Sequence, residues 1–349
     1  ASAAHFAQSG NGQQLEQRRA LVVADPTCDL PASIAEAEAA TRHLSQLGFA
    51  VERLQRKAAT EESIVGNLKG AGIFHFCGHG LSDSYHPTRA ALFVHPDFSR
   101  LSAEAVRRSV DAGADPLQAL PSGVSKWQEI DEYERLTDLP GIGRLYEVQY
   151  PASKIIDRRL EYGGRGTLWR RYRDGAPTPL VELWTAGDIL VQESMSDCRL
   201  AFLSACEAGS GGLSVTADEY SGLPAALQLA GVSTIICSLW PVSDALTTFY
   251  VDLFYEALVQ AAPQVNIAAL IRDINARLRQ MKKDEAIALL DQLRRRSSDS
   301  MARITLEIFI EEVKEGDGLP FQNPYDWAAF YVTGTGDITF AKENSHEDD

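Results

Sequence analysis

Short apolar runs that alternate with helix-like segments constrain this chain more than any other feature. RALVVA (19–24), the run Phe49 to Leu54, and GIFHFC (72–77) are rich in residues that favour strands. Between the first two, Ile34, Ala37, Thr41, Leu44 and Leu47 keep helical spacing, Ser33 with Glu36 three residues on predicts a capping box, and Gly48 predicts the stop. Thr60 predicts the cap of a second helix running to Lys69. The alternation returns late in the chain. Thr185 opens a helix to Val191, RLAFLS (199–204) is a fourth strand, a helix from Asp218 or Glu219 ends near Gly231, and VSTIICSL (232–239) is a fifth strand. Ser243 then caps a long helix bearing Leu246, Phe249, Tyr250 and Leu253. Residues 282–315 are charged and helical in character, and WAAFYVT (327–333) is a last strand. This order predicts an α/β protein built on a mostly parallel sheet with helices on both faces.

The pattern breaks between about 97 and 179, where glycines and prolines accumulate and charges cluster: Glu129 to Asp138 is acidic and Lys154 to Arg173 is basic. The stretch reads as a large insertion of short helices and mobile loops, and an insertion of that length predicts either a functional element such as a lid over a substrate cleft or a solvated decoration without effect on rate. Residues 1–17 read as a disordered lead, 18–340 as one domain with that insertion, and 341–349 as an acidic, solvated tail. The lead has neither a basic n-region nor an apolar h-region, so it is not a secretory signal, and no initiator methionine is present, as in a piece of a longer chain.

Charge excludes several function classes. With 33 basic and 48 acidic side chains the net charge is −15, which argues against direct nucleic-acid binding or attachment to an anionic membrane surface. The longest apolar stretch, Ala225 to Val242, is interrupted by Gln228, Ser233, Thr234 and Ser238 and reads as a buried helix and strand, not as a membrane span. Five widely spaced cysteines, 28, 77, 198, 206 and 237, make neither a disulfide scaffold nor a zinc ribbon, which suits a reducing cytoplasm. No cofactor is expected. The four-residue spacing of His75 and His79 would face a metal on a helix, but on a strand and turn it does not, so no metal site is expected either.

Chemistry concentrates at two strand ends. The third strand runs into Gly78-His79-Gly80 and the fourth into Ala205-Cys206. Open parallel sheets bind ligands beyond the carboxyl ends of their strands. A histidine and a cysteine delivered there are the minimum set for thiol catalysis, with the backbone N–H groups of Gly80 and Cys206 as oxyanion donors. Against this stands the ordinary fate of cysteine, which is burial in a core; Cys77 and Cys237 lie within apolar strands, Cys28 and Cys198 in loops or strand approaches, and all four are read as structural. A nucleotide-binding reading fails on the first strand-to-helix turn, Ala24 to Ser33, which has no glycine to admit a pyrophosphate.

IFHFCGHG (73–80), LAFLSACEAG (200–209), the segment 218–258, NPYDWAAFYVTG (323–334) and the opening RALVVADPTCDLPASIAEAEAA (19–40) together resemble the CHAT-type caspase-like cysteine peptidases. The resemblance covers about two-thirds of the chain and implies a caspase-like sheet, peptide-bond hydrolysis, His79 as base and Cys206 as nucleophile. It further implies a protein substrate cut at few sites, a sensor or activator module on a longer chain or on a partner protein, and a role in bacterial stress or antiviral defence. The separation 206 − 79 = 127 exceeds the roughly 50 residues of caspases, and removing the insertion brings it to about 47. The cysteine stands in Ser204-Ala205-Cys206-Glu207, not in the caspase signature, so aspartate specificity is not implied. For substrate contacts the reading names Asp25 as an acidic pocket floor or a turn cap, and 239–244, with Trp240 and Asp244, as the edge where an extended peptide adds. The competing reading is a catalytically inactive caspase-like scaffold or binding module.

Overall fold

The computed structural model describes residues 18–81, 88, 90–95, 183–191, 195–205 and 222–340, together with the strand backbones at 14–15, 126–129, 146–149, 157–161, 167–173 and 176–182. In chain order these hold β1 (Gln14–Leu15), β2 (Arg19–Ala24), α1 (Ala32–Gln46), β3 (Ala50–Gln55), α2 (Glu61–Leu68), β4 (Ile73–Gly78), β5 (Gly80–Leu81) and β6 (Ala91–Val94). Five strands follow: β7 (Lys126–Glu129), β8 (Tyr146–Gln149), β9 (Asp157–Glu161), β10 (Thr167–Arg173) and β11 (Ala176–Thr185). The remainder comprises α3 (Ala186–Val191), β12 (Leu200–Ala205), α4 (Leu223–Leu229), β13 (Thr234–Ser238), α5 (Asp244–Ala261), β14 (Gln264–Asn266), α6 (Ile267–Gln280), α7 (Lys283–Arg296), α8 (Ser300–Glu315), α9 (Pro324–Trp327), β15 (Phe330–Gly334) and β16 (Asp337–Phe340).

The central sheet has six strands in the order β15-β13-β12-β4-β2-β3, parallel except for β15. Its inner strands β13, β12, β4 and β2 are apolar at nearly every position because both faces are covered, whereas the edge strand β3 leaves Glu52 and Arg53 exposed. Ala20, Val22, Ile73, Leu200 and Phe202 pack with α1, α5 and the C-terminal helices, while Leu21, Val23, Phe74, Phe76, Ala201 and Leu203 pack with α2, α3 and α4. The period-2 alternation of the strands thus sorts side chains between two cores. The α/β class and the helices on both faces are as the sequence predicts.

Local chemistry explains most element ends. Thr60 accepts from Ser63 N–H, Ser243 from Leu246 N–H, and the Thr185 hydroxyl from Asp188 N–H. The capping box at Ser33 and Glu36 does not form: α1 starts at Ala32 behind Pro31, the Ser33 hydroxyl donates to Leu30 O, and Glu36 turns into the core. Trp327 ends the short helix α9, the strand expected over 327–333 begins only at Phe330 as β15, and β16, which the sequence did not announce, follows it. The α4 helix begins at Leu223 after Gly222, whose φ of +89° suits glycine; its expected start at 218–219 lies outside the described residues.

Where the expected insertion is described, it is strand and not helix. β7 pairs with β8, and β9, β10 and β11 form an antiparallel sheet with β6 and β5 in the order β5-β6-β11-β10-β9. β11 runs past 179 to Thr185, because Leu183 and Trp184 pair with Phe93 and Leu92 and are themselves buried. The lead apart from β1, most of the insertion and the acidic tail lie outside the described residues, and so do the acidic segment 130–138 and the lid expected there. No helix among the described residues is long and apolar enough to cross a membrane.

Candidate active site

Three central strands, β4, β12 and β13, end side by side. In the parallel register Ser204 pairs with Cys77 and Ala205 with Gly78, and Leu203 pairs with Cys237. His79 is therefore the first residue beyond one strand, and Cys206 immediately follows the last residue of its neighbour. Cys206 itself lies outside the described residues. Two contacts hold the strand ends: the Ser238 hydroxyl donates to Ala205 O at 2.6 Å, and Phe93 N–H donates to His79 O at 3.0 Å. Gly80 opens β5 and pairs with Leu92, so the β5–β6 hairpin anchors the histidine turn. Gly78 is dictated by space, since a Cβ there would stand 2.8 Å from the Phe76 ring and 3.2 Å from Pro26.

A carboxylate that the sequence reading passed over completes the histidine. His79 Nε2 lies 3.0 Å from Asp29 Oδ1, which also accepts from the Thr27 hydroxyl. Partial burial would raise the Asp29 carboxyl, but the hydrogen bond and charge of His79, aided by Thr27, outweigh it and hold the group below the ordinary aspartate range. Asp29 sits on the loop after β2, next to Cys28, which has a positive φ of 61°. The only signal for it in the sequence is an acidic residue in the first strand-to-helix loop.

Asp25 has the other fate the sequence allowed. It is 1% exposed, one oxygen accepts from Leu30 N–H, and the other accepts from Arg56 Nε at 2.9 Å. Both oxygens are engaged within the protein, so Asp25 closes the loop and ties it to Arg56, the residue after β3. Arg56 reaches on to Asp299 at the start of α8. Trp240 is half-buried, stacks on Tyr325 at 5.2 Å and donates its Nε1–H to Tyr325 O, which holds the segment after β13 in place.

His75 and His79, four residues apart, have separate environments. His75 is fully buried on the α1 side of β4, with Nε2 3.0 Å from Glu36 Oε1 and Nδ1 3.2 Å from the Tyr255 hydroxyl. Glu36, His75 and Cys77 offer atoms within 4.8 Å of one another and are the group among the described residues that could hold a metal ion, although the Glu36–His75 hydrogen bond already satisfies two of the three. Burial drives the Cys77 thiol well up, assisted by Glu36, and drives Cys198 up to about 12 and Cys237 higher still. Partial burial and Asp25 raise Cys28 as well. All four described cysteines are thus kept as thiols.

Asp244, at the first turn of α5, accepts from Ala32 N–H at 2.9 Å. Burial, then the negative charges of Glu36 and Asp25, push its carboxyl up to about 7 against the opposing pull of Ala32 and His79. The folded chain therefore holds a proton that the unfolded chain releases near pH 3.9. Stability contributed by that proton is present at low pH and is lost as pH rises through about 7. Asp244→Asn is expected to raise the melting temperature at pH 8, by an amount equivalent to about 1–2 kcal/mol, with the gain shrinking as pH falls and nearly gone by about pH 4. Equal shifts at both pH values would refute a titrating, destabilising carboxylate.

The geometry thus places a histidine–carboxylate pair beside the strand end that leads into Cys206. A family model, the CHAT domain, matches residues 1–123 and 183–335. The chain belongs to the CHAT domain family. CHAT is a caspase-like protease-family domain, which agrees with the parallel sheet and its order of elements. The match is interrupted over 124–182, inside the β-rich region between β6 and α3. Comparison with curated proteins returns no match.

Proposed function

We propose that this CHAT-family chain is a cysteine endopeptidase in which Cys206 is the nucleophile, His79 the general base and acid, and Asp29 the group that positions the histidine. The observation that carries the reading is the pairing of Ala205 with Gly78 in adjacent parallel strands. Neighbouring strands lie about 4.8 Å apart and consecutive Cα atoms 3.8 Å apart, so the chain itself keeps residue 206 near residue 79. With Nε2 held by Asp29, Nδ1 is the nitrogen that receives the thiol proton and then delivers it to the leaving amine, while the sulfur holds the acyl group until water releases it. Backbone N–H groups of Gly80 and Cys206 supply the oxyanion contacts. Burial keeps Cys77, Cys198 and Cys237 protonated, and the exposed Cys28 is raised by partial desolvation and by Asp25, which supports Cys206 as the reactive one. An extended peptide adding beside 239–244 presents the scissile bond, in a protein partner cut at few sites. The family resemblance supports an effector role in bacterial stress or antiviral defence, in the cytoplasm, with a sensor or activator elsewhere.

A peptide library digested by wild type and by Cys206→Ala, read by mass spectrometry, tests the activity; products that persist in the variant would refute it. Asp29→Ala is expected to lower kcat about 10- to 100-fold with KM little changed, because binding is intact but the imidazole loses its orientation. Asp29→Asn should fall as far, since an amide keeps the volume but not the acceptor charge. A steady-state series in which only KM moves would assign Asp29 to substrate binding instead.

A further inference from the structure

Beneath the ends of β4, β12 and β13 lies a pocket whose makeup the mechanism above does not use. Its floor on the sheet side is a row of small side chains, Cys77, Ser204 and Ser238, standing beside one another because Ser204 pairs with Cys77 and Leu203 with Cys237. One step earlier on the same face stand His75, Phe202 and Ile236, all fully buried, so the row opens space where the rest of this face is filled. Opposite the row, Glu36 from α1 and Asp244 from α5 contribute two carboxylates, and no lysine or arginine is among the described lining residues. Leu30, Val242 and Phe330 supply apolar wall. Gly78 and Ala205, each one residue before a proposed catalytic residue, complete the lining.

We infer that this pocket receives the side chain of a lysine or arginine that immediately precedes the scissile bond. The inference rests on the cysteine peptidase reading and deepens it. Three observations carry it. Two carboxylates, Asp244 and the His75-bonded Glu36, face the pocket with no lysine or arginine among the described lining residues, and in a low-dielectric site that arrangement favours a cation. The raised Asp244 carboxyl reflects the same frustration, with Glu36, Asp25 and His79 as the charges that face it. Second, Ser204 is 8% exposed as a residue, and its hydroxyl oxygen is buried with no hydrogen-bond partner among the described residues, so it can accept from an N–H donor. Third, Glu36 is held in place on the pocket wall, with Oε1 3.0 Å from His75 Nε2, and His75 Nδ1 lies 3.2 Å from the Tyr255 hydroxyl, so this carboxyl presents a fixed acceptor to the pocket. The apolar walls suit the methylenes of a long basic side chain, whose head then reaches Asp244, Ser204 and Glu36.

The test uses two peptidyl chloromethyl ketones that differ only in the side chain before the reactive carbon, lysine against norleucine, with iodoacetamide as a small probe without a side chain. Labelling of the full chain at pH 8 is located by peptide mapping. The lysine probe is expected to modify Cys206 about 10- to 100-fold faster than the norleucine probe. Asp244→Asn should bring that ratio close to one and Ser204→Ala should reduce it several-fold, while iodoacetamide labelling of Cys206 stays as in wild type. Lowering the pH of the wild type from 8 to 6 should shrink the ratio as Asp244 takes up its proton. If Cys206 is labelled by both ketones at equal rates, the pocket assignment is overturned and the peptidase reading stands. If Cys206 reacts with none of the three probes, the peptidase reading falls and takes the pocket with it.

Discussion

Cys206→Ala and His79→Ala are each expected to lower peptide cleavage by at least about a thousandfold while leaving the melting temperature within a few degrees of wild type. The chemical reason is that a thiol without its base, or a base without its thiol, leaves only binding and oxyanion contacts to act on the substrate. The structural reason is that His79 stands beyond the last residue of β4 with its ring partly exposed, where truncation opens no hole in either core. Cys237→Ala makes the opposite comparison. That side chain is fully buried, so its loss should cost about 1–2 kcal/mol of stability and leave cleavage intact. Measuring kcat/KM and thermal unfolding on the same three variants separates the cases. Turnover by Cys206→Ala within tenfold of wild type would remove Cys206 from the mechanism, and loss of turnover in Cys237→Ala at full stability would contradict its structural role.

The second large effect is thermodynamic and is expected at His75. Glu36 and His75 are 1% and 0% exposed, 3.0 Å apart, with Phe202 and Tyr255 packed on the imidazole at ring separations of 5.2 and 5.5 Å. His75→Ala removes a buried ring and leaves the Glu36 carboxylate without its donor. Removing one partner of a buried pair typically costs about 3–5 kcal/mol, and the cavity adds to it. That is a large share of the stability of an ordinary domain, so the variant should unfold at markedly lower denaturant concentration. Tyr255→Phe removes only a hydroxyl from the same chain of hydrogen bonds and should cost about 1 kcal/mol. Equal losses for the two variants would mean that the shared chain of hydrogen bonds sets the cost and that neither the buried ring nor its pairing with Glu36 adds to it.

These two experiments divide along the line between what local sequence carries and what folding adds. The alternation of RALVVA, GIFHFC, RLAFLS and VSTIICSL with helical segments determined a parallel sheet with two covered faces, because strands buried on both sides must be apolar at nearly every position. The same reading brought His79 and Cys206 to one edge, since each follows a strand directly and ligands bind where parallel strands end. Caps at Thr60 and Ser243 were equally legible, because a cap depends on residues only three apart. Glu36 shows where that locality stops. Its spacing from Ser33 spells a capping box, yet the acid is drawn to His75, 39 residues away, by a desolvated hydrogen bond worth more than an exposed cap. Asp25 and Asp29 lie four residues apart in one loop, and composition alone gives no reason to prefer either. The fold chose between them: Arg56, 31 residues on, engages Asp25, and His79, 50 residues on, engages Asp29. The insertion was visible as a break in the α/β alternation, but its strands were not, because an antiparallel strand such as β11 is selected by pairing with β6 and not by its own sequence. The sheet and its reactive edge follow from periodicity along the chain. The partners of each acid, and the pocket they line, come from contacts between segments distant in sequence, where burial decides which polar groups must meet.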